Sequence, residues 1–86
     1  MINQCFLYVL KSESFQRTYV GMSIDPKKRL AEHNAGKTKS TRKYTPWEII
    51  HSEEYTNRKI ARKREIFLKS GAGREWIKNR FFLEKS

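Results

Sequence analysis

Residues 4–11 read QCFLYVLK and residues 17–22 read RTYVGM, with a short polar loop between them. Phe6, Tyr8 and Val9 are good strand formers, and neither stretch repeats its apolar residues at a helical spacing. Two short apolar runs on either side of a turn-prone loop are typical of an antiparallel hairpin. The sequence therefore predicts two neighbouring strands, Gln4 to Lys11 and Arg17 to Met22.

The hairpin carries Tyr8 in its first strand and Tyr19 in its second. The two phenols face the same side of the sheet only if strand register and pleat agree, and the sequence fixes neither. Aromatic residues on neighbouring strands commonly pack on each other, so packing and function both stay open for this pair. Gly21 favours function, because a missing side chain would let a substrate backbone approach.

Asp25 and Pro26 predict the start of a helix, because Asp caps the first backbone donors and Pro fits the first helical turn. Gly36 is the matching end. The apolar residues between them are Leu30, Ala31 and Ala35. We therefore expect this helix to be mostly exposed and to contact the sheet by a narrow stripe.

The segment from Trp47 to Tyr55 is rich in aromatic and β-branched residues and predicts a third strand. From Asn57 a helix is expected to run to Ser70 and Gly71. Its apolar stripe consists of Ile60, Ala61, Phe67 and Leu68. A last helical segment, Arg74 to Leu83, carries Trp76 and Phe81, which are expected to close the core. We predict one α+β domain over residues 1–86, with a small three-stranded, mainly antiparallel sheet flanked by helices.

The composition indicates a polyanionic partner. In 86 residues, 19 Lys and Arg against 9 Asp and Glu give a formal net charge of +10. Such an excess favours nucleic acid through counterion release and steering, so DNA is the expected partner and RNA stays open. A membrane-binding helix would need a long apolar face beside its charges, and none of the basic stretches has one.

The chain is expected to work in a reducing compartment. Cys5 is the only cysteine, so no internal disulfide can form. No run of 18 apolar residues and no signal sequence is present, because the apolar run from Cys5 to Leu10 is too short for either. We expect a cytoplasmic location.

Three side chains outside the hairpin have chemistry that could serve a site. Arg29 and His33 are four residues apart on one helix, so both can point at the same ligand. His33 could work near neutral pH, but an exposed histidine without a task is an equal alternative. Glu65 borders an apolar stripe and needs a cation or hydrogen bonds there. A simple salt bridge to Arg58, Arg62 or Lys69 is the alternative to a metal site.

The loop that follows Gly36 mixes cations with small hydroxyl residues. Its cations are Lys37, Lys39, Arg42 and Lys43, interleaved with Thr38, Ser40 and Thr41. This mixture suits phosphate oxygens, and we expect the cations to bind nucleic acid together with Gly21 and Arg62. A solvated loop without a ligand is about equally compatible with the sequence.

The order of Tyr8, Tyr19, Arg29, His33 and Glu65 resembles that of the GIY-YIG nuclease domain, such as the N-terminal nuclease domain of an excision-repair enzyme. The resemblance covers the chain from about Phe6 to about Lys69. The first motif reads FLY and lacks the Gly and Ile that name the family, and the second reads YVG. Both changes keep the tyrosine and the strand character. Asn79 is a candidate for an asparagine that follows the metal-binding helix in that family.

The resemblance implies a catalytic role for each of these five residues. Glu65 would bind one Mg²⁺ or Mn²⁺ ion, and Arg29 would contact the scissile phosphate. Tyr8 and Tyr19 would share the attacking water, and His33 would relay or accept its proton. The function implied is a metal-dependent endonuclease that cleaves DNA in repair or in the processing of branched or damaged strands.

Two alternatives remain at this stage. The chain could be a catalytically inactive nucleic-acid-binding module that keeps the fold and the basic surface. It could also be a basic protein that docks on an acidic one. Nuclease domains of this family usually occur with a separate recognition domain, so a protein partner that supplies specificity is a further expectation.

Overall fold

The structure is a computed structural model that describes residues 4–82. Its elements are β1 (Cys5–Ser12), β2 (Thr18–Ser23), α1 (Pro26–Asn34), a 3₁₀ turn (Arg42–Tyr44), β3 (Trp47–Tyr55), α2 (Arg58–Lys69), α3 (Gly71–Ile77) and a π-helical segment (Lys78–Phe82). The strands form one antiparallel sheet in the order β2-β1-β3. The predicted α+β fold is thereby confirmed. Within residues 4–82 no helix is long and apolar enough to cross a membrane.

The central strand β1 is buried on both of its faces. Successive side chains of a strand point to opposite sides, so the run Leu7 to Leu10 supplies two cores. Leu7 and Val9 pack with residues of β2, α2 and α3, namely Val20, Leu68 and Ile77. Tyr8 and Leu10 pack on the other side with Trp47, against which Tyr19, Leu30, Tyr44 and Ile49 also lie. This double burial explains why the first apolar run of the sequence does not alternate with polar residues.

The strand register places the two tyrosines on one face. Tyr8 pairs with Gly21 and Leu10 pairs with Tyr19 across the antiparallel hairpin. Tyr8 and Tyr19 are therefore diagonal neighbours on the same side, with ring centroids 6.4 Å apart. The register that the sequence left open is the one that brings the phenols together.

Helix α1 contacts the sheet in part through residues other than those expected. Asp25 caps it by accepting the backbone N–H of Lys28, and Gly36 follows it with a φ of 79°. Leu30 packs on the core as the predicted stripe requires, whereas Ala31 and Ala35 are exposed and His33 is buried. Buried hydrogen bonds allow the polar imidazole to take the place of an apolar contact.

Helix α2 also buries a polar residue. Asn57 caps it through its side-chain oxygen, and the buried residues are Ala61, Glu65 and Leu68. Ile60 and Phe67, which the spacing placed in the stripe, are 53% and 37% exposed. The stripe therefore runs through Glu65 instead of beside it.

Helix α3 begins earlier than the sequence indicated. Ser70 ends α2 and also caps α3, because its hydroxyl accepts the backbone N–H of Gly73. Gly71 is thus the first residue of α3 and not the terminator of a helix. The expected final helix from Arg74 stops as an α-helix at Ile77, and Leu83 lies outside the described residues.

The outer part of the core is closed by aromatic rings and a partly buried ion pair between Arg64 and Glu53. Trp76 and Phe81 pack on the core, as expected from the sequence, and both lie against His51. Burial acts to raise the pKa of Glu53, but hydrogen bonds from Arg64, His51 and Tyr55 outweigh it and lower the pKa to about 2. His51 therefore has a structural part in this network.

The two helices α2 and α3 pack too closely for a side chain at Gly73. A Cβ there would lie 2.0 Å from the carbonyl oxygen of Phe67 and 2.3 Å from the Cα of Leu68. We expect Gly73→Ala to lower the free energy of unfolding by about 2 kcal/mol, measured by urea denaturation. A Cβ at Gly71 would meet nothing within 4 Å, so Gly71→Ala is the matched control and should change it by less than about 1 kcal/mol. Equal effects of the two substitutions would show that close helix packing is not the cause.

Candidate active site

A cleft of about 680 Å³ opens where β1, β2, α1 and α2 meet. Its lining consists of Tyr8, Tyr19, Gly21, Met22, Arg29, Arg58, Lys59, Arg62, Lys63 and Glu65. Five of these side chains are cations and one is a carboxylate. The cleft is thus a positively charged concavity with a single acidic group, and it suits an anionic ligand.

Four of the five residues predicted to be catalytic line this cleft, and the fifth lies behind them. Tyr8, Tyr19, Arg29 and Glu65 come from four different elements of the fold and meet at one cavity. His33 is fully buried beneath Tyr8, with its ring centroid 4.8 Å from that of Tyr19. Helix α1, which we expected to be mostly exposed, therefore places His33 in the protein interior, in contact with the hydroxyl of Tyr8.

A chain of buried hydrogen bonds runs from Tyr8 through His33 to Thr41. The Tyr8 hydroxyl lies 3.2 Å from Nε2 of His33, and Nδ1 of His33 lies 2.9 Å from Oγ1 of Thr41. The Thr41 hydroxyl donates its own proton to the carbonyl oxygen of Thr38 at 3.3 Å. Oγ1 must then accept from Nδ1–H, which leaves Nε2 as the acceptor for the Tyr8 hydroxyl. The hydrogen bonds thereby select one tautomer of His33.

The loop that carries Thr41 is tied to the sheet. The side chain of Asn34 accepts from the backbone N–H of Trp47 at 2.6 Å and donates to its carbonyl oxygen at 3.1 Å. The indole of Trp47 donates to the carbonyl oxygen of Thr41 at 2.8 Å. In the sequence, Thr41 is one of several loop hydroxyls suited to phosphate. It was missed as a site residue because its contact with His33 depends on how the loop folds back.

Gly21 gives space to a side chain of the protein itself. A Cβ at Gly21 would lie 2.6 Å from the hydroxyl oxygen of Tyr8 and 2.7 Å from its Cζ atom. The room that we expected to admit a substrate backbone is thus filled by the phenol of Tyr8. Gly21 still forms part of the cleft wall, and its absent side chain lets Tyr8 reach His33.

Arg29 lines the cleft together with the phenol of Tyr8. Its guanidinium is hydrogen-bonded to Glu32 at 2.6 Å. Burial raises the pKa of Tyr8, and the neighbouring Arg29 offsets part of that rise. Burial, followed by the positive charge of Arg29, lowers the pKa of His33. Glu32, which sequence analysis did not single out, holds Arg29 in place.

Glu65 is the one acidic group of the cleft and is 7% exposed. Its Oε1 accepts from Arg62 at 2.6 Å and its Oε2 from Lys69 at 3.1 Å. Burial acts to raise the pKa of Glu65, but these hydrogen bonds outweigh it and hold the pKa below its usual value. The carboxylate is therefore ionised. Salt bridges to Arg62 and Lys69, which the sequence offered as the alternative to a metal site, are both present.

The single carboxylate of the cleft fits a magnesium ion whose other ligands are waters and substrate phosphates. Among residues 4–82 there is no cluster of three or more His, Cys, Asp or Glu side chains that could hold a metal. Mg²⁺ commonly keeps several waters and binds one or two carboxylates together with substrate phosphates. Glu65 supplies one such carboxylate, and the side chains that cover it are 61% exposed for Arg62 and 49% exposed for Lys69. Both cations have solvent into which they can move.

Of the residues predicted to bind nucleic acid, one further cation lies in the cleft and the loop cations lie outside it. Arg62 lines the cleft, together with Arg58, Lys59 and Lys63, which sequence analysis did not assign to the site. The loop residues Lys37, Lys39, Arg42 and Lys43 do not line the cleft, so their binding of nucleic acid stays a prediction. Asn79 is exposed on the segment after α3 and is likewise outside the cleft lining.

Comparison with known proteins shows the family of this chain. The sequence pattern of the GIY-YIG catalytic domain family matches residues 4–79 of this chain. A UPF0213 protein of Listeria innocua is 41% identical over 68 residues, which cover 78% of this chain and 74% of that protein. A UPF0213 protein of Natronomonas pharaonis is 36% identical over 66 residues, covering 76% of each chain.

A solved structure shows the same fold. It is the solution NMR structure of a UPF0213 protein from Bacillus halodurans, with a TM-score of 0.54 and 22% identity. The alignment covers 91% of this chain and 85% of that one. With the family match over most of its length, the chain belongs to the GIY-YIG domain family.

Proposed function

We propose that this protein is a magnesium-dependent endonuclease that hydrolyses phosphodiester bonds in DNA, in the repair or processing of branched or damaged strands. The observation that carries the proposal is the convergence of Tyr8, Arg29 and Glu65 on one positively charged cleft. Phosphodiester hydrolysis needs an activated water, cations for the charge that grows on the phosphate, and help for the leaving oxygen. Each of these requirements has a candidate side chain in the cleft.

In the proposed mechanism Tyr8 receives a proton from the attacking water. The Tyr8 oxygen can accept from the water while its own proton passes to Nε2 of His33, because the hydroxyl already points at that lone pair. The imidazolium formed keeps its Nδ1–H bonded to Thr41. Arg29 beside the phenol stabilises the negative charge that develops on the Tyr8 oxygen and on the phosphate.

Glu65 is the residue that would hold the metal. When bound, Mg²⁺ supplies Lewis acidity to the phosphate and stabilises the leaving oxygen. Arg62 and Lys69 keep the carboxylate ionised and positioned until they are displaced. Lys59 and Lys63 add positive charge for the DNA backbone at the same wall of the cleft.

The second candidate function is a catalytically inactive DNA-binding module. The observation in its favour is that both oxygens of Glu65 already accept from cations. Under this alternative the carboxylate stabilises a basic helix and holds no metal. DNA binding is common to both functions, whereas metal-dependent cleavage separates them.

The cellular setting is also part of the proposal. Cys5 is buried and unpaired, which is compatible with the reducing cytoplasm. The cations of the cleft match the phosphate backbone that all sequences share, so we propose that specificity comes from the shape of the DNA or from a protein partner.

The first prediction concerns Glu65. Glu65→Gln removes the metal-binding charge while keeping the shape of the side chain, so Mg²⁺-dependent nicking of labelled DNA should fall by at least about 100-fold. Binding of DNA in EDTA should be unchanged or tighter, because one negative charge is lost. Glu75→Gln, at an exposed position of α3 outside the cleft, is the control and should retain activity. Unchanged nicking by Glu65→Gln would contradict the proposal that Glu65 binds the metal of a magnesium-dependent nuclease.

The second prediction concerns Thr41 as a positioning residue. Thr41→Val keeps the shape but leaves Nδ1–H of His33 without its acceptor, so the tautomer that serves Tyr8 is no longer favoured. We expect kcat to fall by about 10- to 100-fold with little change in KM. Thr41→Ser restores the hydroxyl and should recover most of the rate. Equal losses in both variants, or a loss confined to KM, would rule out the tautomer argument.

The third prediction concerns pH. The pKa of His33 is lowered by burial and then by Arg29, so the ring stays neutral below its usual value near 6.5. Nicking should therefore persist as the pH falls through about 6.5 and decline only at lower pH. Between about pH 6.5 and the lower pKa of His33 in the folded protein, this histidine is protonated in the unfolded chain but not in the folded one. The free energy of unfolding should therefore also fall as the pH falls through this range.

His33→Gln tests both parts of this prediction. The variant should cleave slowly at every pH, and its pH profile should lack the decline of activity at low pH, which we call the acid limb. Its free energy of unfolding should also fall less over the same pH range. Profiles of kcat/KM and urea denaturation curves provide the two measurements. A wild-type limb centred at or above the usual histidine pKa would contradict a buried, neutral His33.

A further inference from the structure

A groove continues from the cleft along the free edge of β2. Beyond Tyr19, a depression of about 260 Å³ is lined by β2, the end of α2 and α3. It shares Thr18, Arg74 and Ile77 with a second depression of about 500 Å³. Tyr19 in turn belongs to both the cleft and the first depression. The cleft and the two depressions are therefore adjacent to one another. We name the two depressions beyond Tyr19 together the β2-edge groove.

The charges of the β2-edge groove have one sign. Its linings contain Arg17, Lys69, Arg74 and Lys78 and no carboxylate among the described residues. Lys69 stands at the junction with the cleft, where its Nζ lies 6.0 Å from the Tyr19 ring centroid and 3.1 Å from Glu65. Arg17, Arg74 and Lys78 are exposed. A row of accessible cations matches a phosphodiester backbone.

The side chains that line the groove favour a single strand as the ligand. The side chains that are not charged include Thr18, a hydroxyl that can bond phosphate oxygen, and the partly buried ring of Phe82. Cations beside an aromatic ring are the usual combination for a single strand.

We propose that the β2-edge groove holds the backbone of the substrate strand on one side of the scissile bond. The identity of the ligand as DNA rests on the proposed function. The groove adds that the strand leaves the cleft past Tyr19 and runs over α3, with Arg74 and Lys78 as its phosphate contacts. A longer strand should accordingly gain affinity through residues that lie outside the catalytic cleft.

The test compares a charge-removing variant with a matched control. Arg74→Gln/Lys78→Gln removes two groove cations, and Lys27→Gln/Lys28→Gln removes two cations from α1 that lie outside the groove. Binding is measured in EDTA by fluorescence anisotropy with single-stranded DNA of about 4 and about 12 nucleotides. We expect the groove variant to bind the longer DNA about 5- to 10-fold more weakly and its log–log salt slope to fall by about 1.4. Its binding of the shorter DNA should change by less than about twofold.

Outcomes that would overturn the inference are distinct from those that concern catalysis. Equal losses in the groove and α1 variants, or a loss that is the same for both lengths, would mean that net charge alone acts. Circular dichroism spectra of both variants should match the wild type, and a folding defect in the groove variant is checked with Arg74→Lys/Lys78→Arg, which should restore binding. Absence of Mg²⁺-dependent nicking by the wild type would refute the proposed function and leave the binding comparison readable.

Discussion

The burial of one phenol in the central strand sets the rest of the site. Tyr8 stands between two apolar neighbours in a strand covered on both faces, and its hydroxyl needs partners there. Gly21 opposite it provides the space, His33 from α1 provides a hydrogen bond, and the charge of Arg29 from the same helix acts on the phenol. The register of the hairpin and the position of α1 are thus linked to one polar atom. A site built on such a buried group is held by the same contacts that hold the fold.

A second constraint is the excess of positive charge around Glu65. A buried carboxylate is costly unless it is paired, and in this helix Arg62 and Lys69 pair with it. These pairs keep Glu65 ionised at the edge of a cleft that otherwise attracts anions. Under the proposed function these cations, which are largely exposed, would turn towards phosphate when DNA binds. Metal, DNA and the resting ion pairs would then compete for a few side chains, which would make metal affinity depend on the presence of substrate.

Much of the fold followed from local patterns. The strands, the cap Asp25, the start of a helix after Asn57 and the α+β class depend on short-range signals, and the structure agrees with them. The buried faces of α1 and α2 did not follow, because His33 and Glu65 occupy positions that spacing rules assign to apolar residues. Their burial depends on the hydrogen bond that His33 donates to Thr41 and on the one that Glu65 accepts from Arg62.

The candidate site was predictable to a similar extent. The order of Tyr8, Tyr19, Arg29 and Glu65 identified side chains that do share a cleft, because the family resemblance carries spatial information that composition lacks. Thr41 and Glu32 were not found, since each acts through a neighbour and neither has a recognisable spacing. The groove beside β2 depends on the packing of α3, whose start the sequence placed three residues too late.

The most direct measurement is the tautomeric state of His33 by nitrogen NMR of the uniformly labelled protein at neutral pH. A ring with the proton on Nδ1 and a bare Nε2 facing Tyr8 is the expected result, and loss of that preference is expected in Thr41→Val. A proton on Nε2, or a charged ring at neutral pH, would contradict the view that Tyr8 is poised to pass its proton to His33.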